Sequence, residues 1–235
     1  MIARVLAADL LKIRRKMIWG LAFLGPFGVV ALQAVNFGLR YDYLTKQYAA
    51  DLWKGLLGNI QFLAVPSLLL GITIVTSMIA GVEHHMNAWK QLLALPVSRK
   101  TVFAGKFLLS LLLLLVSCSL LAGGTMLLGW ALGFGTDFPY GELAKTSFLP
   151  LIASMPVLAL QLWLSVTMRN QAIPLTVGIL GTVLTLFAPA LPDWLLWKWP
   201  LLQGENTDDF VRLGAGIGLA LLAAGLADFT RRDVK

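Results

Sequence analysis

Apolar and polar positions along the chain alternate as blocks of about 20 apolar residues separated by short polar stretches. The pattern predicts helical spans over Met17–Phe37, Ile60–Val82, Phe107–Leu132, Phe148–Met168, Ile173–Leu191 and Phe210–Phe229, the last two short and rich in Pro or Gly. A helix rises about 1.5 Å per residue, so roughly 20 residues cross a hydrocarbon core of roughly 30 Å. The expected fold is all-α, a polytopic integral membrane protein whose single transmembrane domain fills residues 1–235. With six spans, both termini fall on one side.

Ahead of the first span, Ile2, Val5, Leu6, Leu10 and Ile13 recur at spacings of three and four, with Arg4, Lys12, Arg15 and Lys16 largely elsewhere. That pattern fits an amphipathic helix over 1–16 lying on a membrane surface. The alternative is a basic topology signal without defined structure. The leader contains Asp9 and precedes an apolar run too long for a signal core, with no clear A-x-A site. The first span is therefore expected to be a retained anchor.

Composition strengthens the membrane assignment: 58% of the 235 residues are hydrophobic and 13% charged, against roughly 45–50% and about 25% in soluble domains. The net charge of +7 is unevenly placed. If the termini are cytoplasmic, the inner segments carry +9 and the outer segments −2. This obeys the positive-inside rule and removes nucleic acid as the reason for the basic balance. The single cysteine, Cys118, lies in an apolar run, which excludes an intrachain disulfide and cysteine-based metal motifs.

No Asp, Glu, Lys, Arg or His falls in the deep parts of the six predicted spans. The polar residues there are Ser, Thr and Gln, and Thr73, Ser77, Gln161 and Ser165 are the candidates for lining a translocation path. Ion-coupled carriers and intramembrane hydrolases need charged or metal-binding groups at depth, so both are disfavoured. Nor is there a G-x-x-x-x-G-K-[ST] loop, since Gly105-Lys106 is followed by Phe107. Work done on a cargo must come from another chain. Other features bear on packing. Gly214-x-x-x-Gly218 and Gly129-x-x-x-Gly133 suit close helix contact, and Pro66, Pro156 and Pro174 are expected to bend the spans that contain them. Residues 189–209, with Trp194, Trp197 and Trp199, read either as an external interfacial or re-entrant segment or as a plain aromatic belt.

The most polar interruption is Glu83–Lys106, which opens EHHMNAWKQLLALPVSRK. Adjacent His84 and His85 point about 100 degrees apart on a helix, whereas zinc helices place histidines four apart, so the pair is a poor metal site. Lys90, Arg99, Lys100 and Lys106 suit anionic lipid, which leaves the order of residues unexplained. Met86, Trp89, Leu92 and Leu93 recur at helical spacing, Pro96 ends that helix and Ser98 can cap the next. The pattern predicts a short cytoplasmic helix held across the end of a hairpin.

The string E-H-H-M-N-A-W-K-Q-L-L-A-L-P-V-S-R-K-x-x-x-x-G-K from Glu83 to Lys106 resembles the segment between the second and third spans of type-2 ATP-binding-cassette permeases. It is most similar to the branch of lantibiotic-immunity and bacitracin-resistance permeases. The stretch Gln161-Leu162-Trp163-Leu164-Ser165 through Ile173, followed by Gly178, is similar to the fourth-to-fifth span region of that branch.

The resemblance implies that 83–106 carries a coupling helix docked in a separate ATPase, with Trp89, Leu92 and Leu93 as apolar anchors. Glu83, Lys90 and Arg99 would set orientation at the rim, with Met86, Pro96 and Ser98 completing the segment. It further implies a second permease chain, two ATPase copies carrying ATP and magnesium, no cofactor on this chain, and a bacterial cytoplasmic membrane. The expected activity is export of an amphipathic peptide or antibiotic, without catalysis by the permease. The competing expectation is a sensor or scaffold that binds a cytoplasmic partner through 83–100 and transports nothing.

Overall fold

The computed structural model describes residues 2–14, 16–85, 98–203 and 207–231, and among them the chain is helical with no strand. In chain order the α-helices are α1 (Ile2–Ile13), α2 (Ile18–Leu39), α3 (Tyr41–Gln47), α4 (Leu52–His85), α5 (Arg99–Ala131) and α6 (Tyr140–Ala153). They continue as α7 (Met155–Thr167), α8 (Ala172–Leu184) and α9 (Thr207–Arg231), with 3-10 turns at Thr185–Ala190 and Trp199–Leu201. Helix α4 is the hub, packing against α2, α5, α6, α7 and α8.

Among the described residues, four helices, α2, α4, α5 and α9, are long and apolar enough to cross a bilayer, and α6 with α7 makes a fifth if the bent pair is one span. The stretch Ala172–Phe187 is apolar but shorter. The 13 residues of α8 reach about 20 Å, less than the roughly 30 Å of a hydrocarbon core.

The expected fourth span is broken at Ser154 by 45°. Pro156 has no N–H for the carbonyl of Ile152, so the ladder cannot run through. The Ser154 N–H turns back to the carbonyls of Pro150 and Leu151, and its hydroxyl donates to Leu151 at 2.8 Å. Helix α9 fills the notch. A Cβ on Gly214 would stand 2.6 Å from Ala153 Cα, and one on Gly218 would stand 2.5 Å from Met155 Cβ. Only glycine lets the backbones approach so closely.

The second glycine pair works differently. Gly129 makes room for the Trp53 ring, and Gly133, with φ +81, turns the chain out of α5. The prolines expected to bend their spans sit at different places in the helices. Pro156 and Pro174 lie in the first turns of α7 and α8, where a missing N–H costs little, while Pro66 is inside α4. Pro26 and Pro150 lie inside α2 and α6.

The tryptophan-rich connection folds back on the helices. Trp199 is buried, stacks on Phe210 and donates from Nε1 to the Asp193 carbonyl at 2.7 Å. Trp197 packs into the core with Leu201, near Val65, Leu69 and Leu158. Only Trp194 of the three stands largely exposed.

Candidate functional site

The interrupting segment is defined by where its two ends are tied. Residues 86–97 lie outside the described residues, and with them Met86, Trp89, Lys90, Leu92, Leu93 and Pro96. Of the expected coupling residues, Glu83, Ser98 and Arg99 are described, as is the neighbouring His84.

At the near end, α4 closes with Glu83 on the same stripe as Ile72, Val75 and Ile79, so its carboxylate points inward and is 2% exposed. Two lysines reach it: Lys106 Nζ of α5 at 3.2 Å and Lys12 Nζ of α1 at 2.8 Å. Asp9 of α1 completes the group, 3.6 Å from Lys12 and 4.0 Å from Lys106. Two acids and two bases thus meet, with Lys106 as buried as Glu83. Burying charge is tolerable when it is paired and hydrogen-bonded, and this cluster is balanced. Burial by itself would lower the pKa of Lys12, but the hydrogen bond and charge of Glu83, aided by Asp9, outweigh it and raise the pKa above 10.5.

Helix α1 is seated by its own stripe. Leu6, Leu10 and Ile13 pack with Ile18, Val75, Ile79 and Leu109. Val5 lies over Gly105, where a Cβ would come within 2.9 Å of its methyl carbon. The G-K pair that ends the resemblance string therefore has two jobs: glycine admits α1, and lysine pairs with Glu83.

The other ties run to α7 and α9. His84 Nε2 lies 3.1 Å from the Ser165 carbonyl, which can only accept, so this nitrogen carries the proton. The same carbonyl accepts from Gln171 Nε2 at 2.8 Å, and Gln171 Oε1 accepts from Ser77 Oγ at 3.0 Å. At the far end, Ser98 Oγ accepts from the Thr101 N–H and caps α5. Arg99 Nη1 donates to the Thr230 carbonyl of α9 at 3.4 Å. Next to it, Phe103 and Phe229 have ring centroids 5.7 Å apart, and Trp163 donates to Asp228 at 2.8 Å.

Within this chain Glu83 does not form a rim. It is an internal tie, and Arg99 is bound to the last helix. The signal was present in the sequence, because Asp9, Glu83 and Lys106 each sit on the apolar stripe of their helix. Reading each charge as part of a polar loop, rather than against its stripe, hid the cluster.

The four candidate path residues come together between α4, α7 and α8, and all four are buried within this chain. Thr73, Gln161 and Ser165 are 0–1% exposed and Ser77 6%. With its amide turned so that each end meets a partner of the opposite kind, Gln161 bridges one turn of α8, donating to the Pro174 carbonyl at 3.1 Å and accepting from the Gly178 N–H at 2.9 Å. Thr73 donates to Leu69 within its own helix.

Long apolar helices, two of them tied together at the roots of residues 86–97, mark a multi-pass integral membrane protein. The sequence matches the family model described as ABC-2 family transporter protein over residues 5–185. The chain belongs to that family, whose members are membrane permease components that work with an ABC ATPase. No curated protein and no solved structure matches.

Proposed function

We propose that this chain is the permease subunit of an ATP-driven exporter and that an ABC ATPase grips it through residues 83–100. The observation that carries the reading is the convergence of ties on the roots of that segment: Glu83 to α1 and α5, His84 to α7, and Arg99 to α9. A push on the segment is thereby passed to four helices at once. Trp89, Leu92 and Leu93 serve as apolar anchors in the ATPase and Lys90 as a rim charge, with ATP and magnesium held by the partner.

In this reading both termini are cytoplasmic, α1 lies along the inner leaflet, and Ala172–Phe187 acts as a short additional span. Two permease chains and two ATPases assemble in a bacterial cytoplasmic membrane. The cargo is an amphipathic peptide or antibiotic of the lantibiotic or bacitracin kind. Support comes from the sequence resemblance and from spans whose mid-membrane polar groups are uncharged.

The test is co-purification of the ATPase with Trp89→Glu and Leu93→Glu variants. Loss of the ATPase, with the permease still in the membrane, is the expected result; undiminished co-purification removes the docking assignment. Peptide-antibiotic sensitivity of cells lacking the gene, compared with an ATPase-dead strain, tests the cargo. If neither strain becomes sensitive, the export reading gives way to a sensing role.

A further inference from the structure

Hydroxyls inside the helices of this protein mostly bond to their own backbone. Thr73, Ser110, Thr125 and Thr182 each donate to the carbonyl four residues earlier. Ser67 of α4, Ser117 of α5 and Ser147 of α6 differ: none makes a hydrogen bond, and all three line one cavity of about 50 Å³ between these helices and α2. Ser147 is 4% exposed, while Ser67 and Ser117 are half-buried. The rest of the wall is apolar, supplied by residues such as Val29, Leu113 and Leu121.

Three helices thus present an unpaired hydroxyl to one void near the middle of their lengths. A buried polar group without a partner is unfavourable, and cavities that stay empty are apolar. This cavity is built for an occupant that can hydrogen-bond. Its volume is about a third of the roughly 150 Å³ that admits a benzene ring, which leaves room for a group of a few heavy atoms. Gly25 of α2 also lines the cavity, and a Cβ there would press to 3.2 Å on the Ser67 hydroxyl.

We propose that this cavity is an intramembrane site for the hydroxyl group of an amphipath dissolved in the bilayer, held by Ser67, Ser117 and Ser147 with its tail along the apolar wall. The site deepens the export reading by naming a polar group that the permease recognises inside the membrane, and it rests on that reading for its role in transport. Serine hydroxyls both donate and accept, which suits a neutral alcohol better than an ion. No charged side chain lines the cavity.

The test uses the purified full-length chain in lipid bilayers without its ATPase, labelled with a diazirine-bearing aliphatic alcohol and, in parallel, with the matching diazirine alkane. Mass spectrometry locates the label. The alcohol should label the cavity wall about fivefold more than the alkane, the factor expected from roughly one net hydrogen bond. Excess unlabelled alcohol should compete, Ser67→Ala/Ser117→Ala/Ser147→Ala should abolish the preference, and Gly25→Leu should block labelling. Equal labelling by the alkane overturns the proposal, as does a preference unchanged in the triple variant; labelling confined to the outer surface, the outcome if only water enters, does the same. The wild-type comparison of the two probes decides even if a variant fails to fold. Failure of ATPase co-purification leaves this result untouched, so the two readings fall separately.

Discussion

Glu83 and Lys106 face each other at 3.2 Å, each 2% exposed, one at the end of α4 and the other about two turns into α5. The helices that enter and leave 86–97 are thereby pinned to each other at their roots. Lys12 and Asp9 bring α1 into the same contact.

Removing one member of a balanced buried cluster leaves an uncompensated charge. Lys106→Met should destabilise the protein by roughly 3–5 kcal/mol. Glu83→Gln combined with Lys106→Met should cost much less than the sum of the single changes, because Asp9 and Lys12 still balance. A double-mutant cycle on unfolding in mild detergent reads the coupling; simple additivity would mean that the pair does not act as a unit.

Lys12 gives the cluster a pH dependence. Its pKa in the folded protein lies above 10.5, so the folded state holds its proton more tightly than the unfolded chain does. The stability it contributes is fully present below the unfolded value and is lost as pH rises through the folded one. The stability difference between wild type and Lys12→Met should shrink as pH rises above the ordinary lysine range, through the raised pKa of the folded protein. A constant difference over that window would exclude a charge-based role for Lys12.

Along α9, Gly214 and Gly218 meet the α6/α7 break, whereas a Cβ on Gly216 would meet nothing within 4 Å. Gly214→Val should therefore lower stability by about 1–3 kcal/mol through overpacking. Gly216→Val should be close to neutral. Thermal unfolding of both variants in the same detergent checks the contrast, and equal midpoints would place the α9 contact elsewhere.

The long spans were legible because an apolar block of the right length has few alternatives: Met17–Phe37 became α2 and Phe210–Phe229 lies within α9. The broken fourth span was legible only in part. Pro150 and Pro156 are visible in sequence, but whether a proline bends a helix or begins one depends on what fills the notch, here Gly214 and Gly218. The tryptophans of 189–209 suggested a membrane boundary, since amphipathic rings prefer that depth. Trp199 instead finds an acceptor at the Asp193 carbonyl and an aromatic face at Phe210. The apolar stripes marked Asp9, Glu83 and Lys106 as inward-facing, but that they face one another needed long-range information, because they come from three helices far apart in sequence.

The tightest polar packing lies where α8 crosses α4 and α7. At Gly178 a Cβ would fall on the Thr73 side chain and within 2.5 Å of the end of the Gln161 amide. Thr73 is β-branched and has little freedom to turn away, and Gln161 is held by both of its bonds to α8. Gly178→Ala should therefore push α8 outward, break the Gln161 bridge and cost about 1–3 kcal/mol. Thr73→Ala removes two of the three nearest obstructing atoms, so Gly178→Ala/Thr73→Ala should recover part of that loss, while Thr73→Ala alone opens a small void. Unfolding midpoints of the two single variants and the double variant supply the test. A double variant no more stable than Gly178→Ala would show that Gln161, rather than Thr73, sets the clearance between these helices.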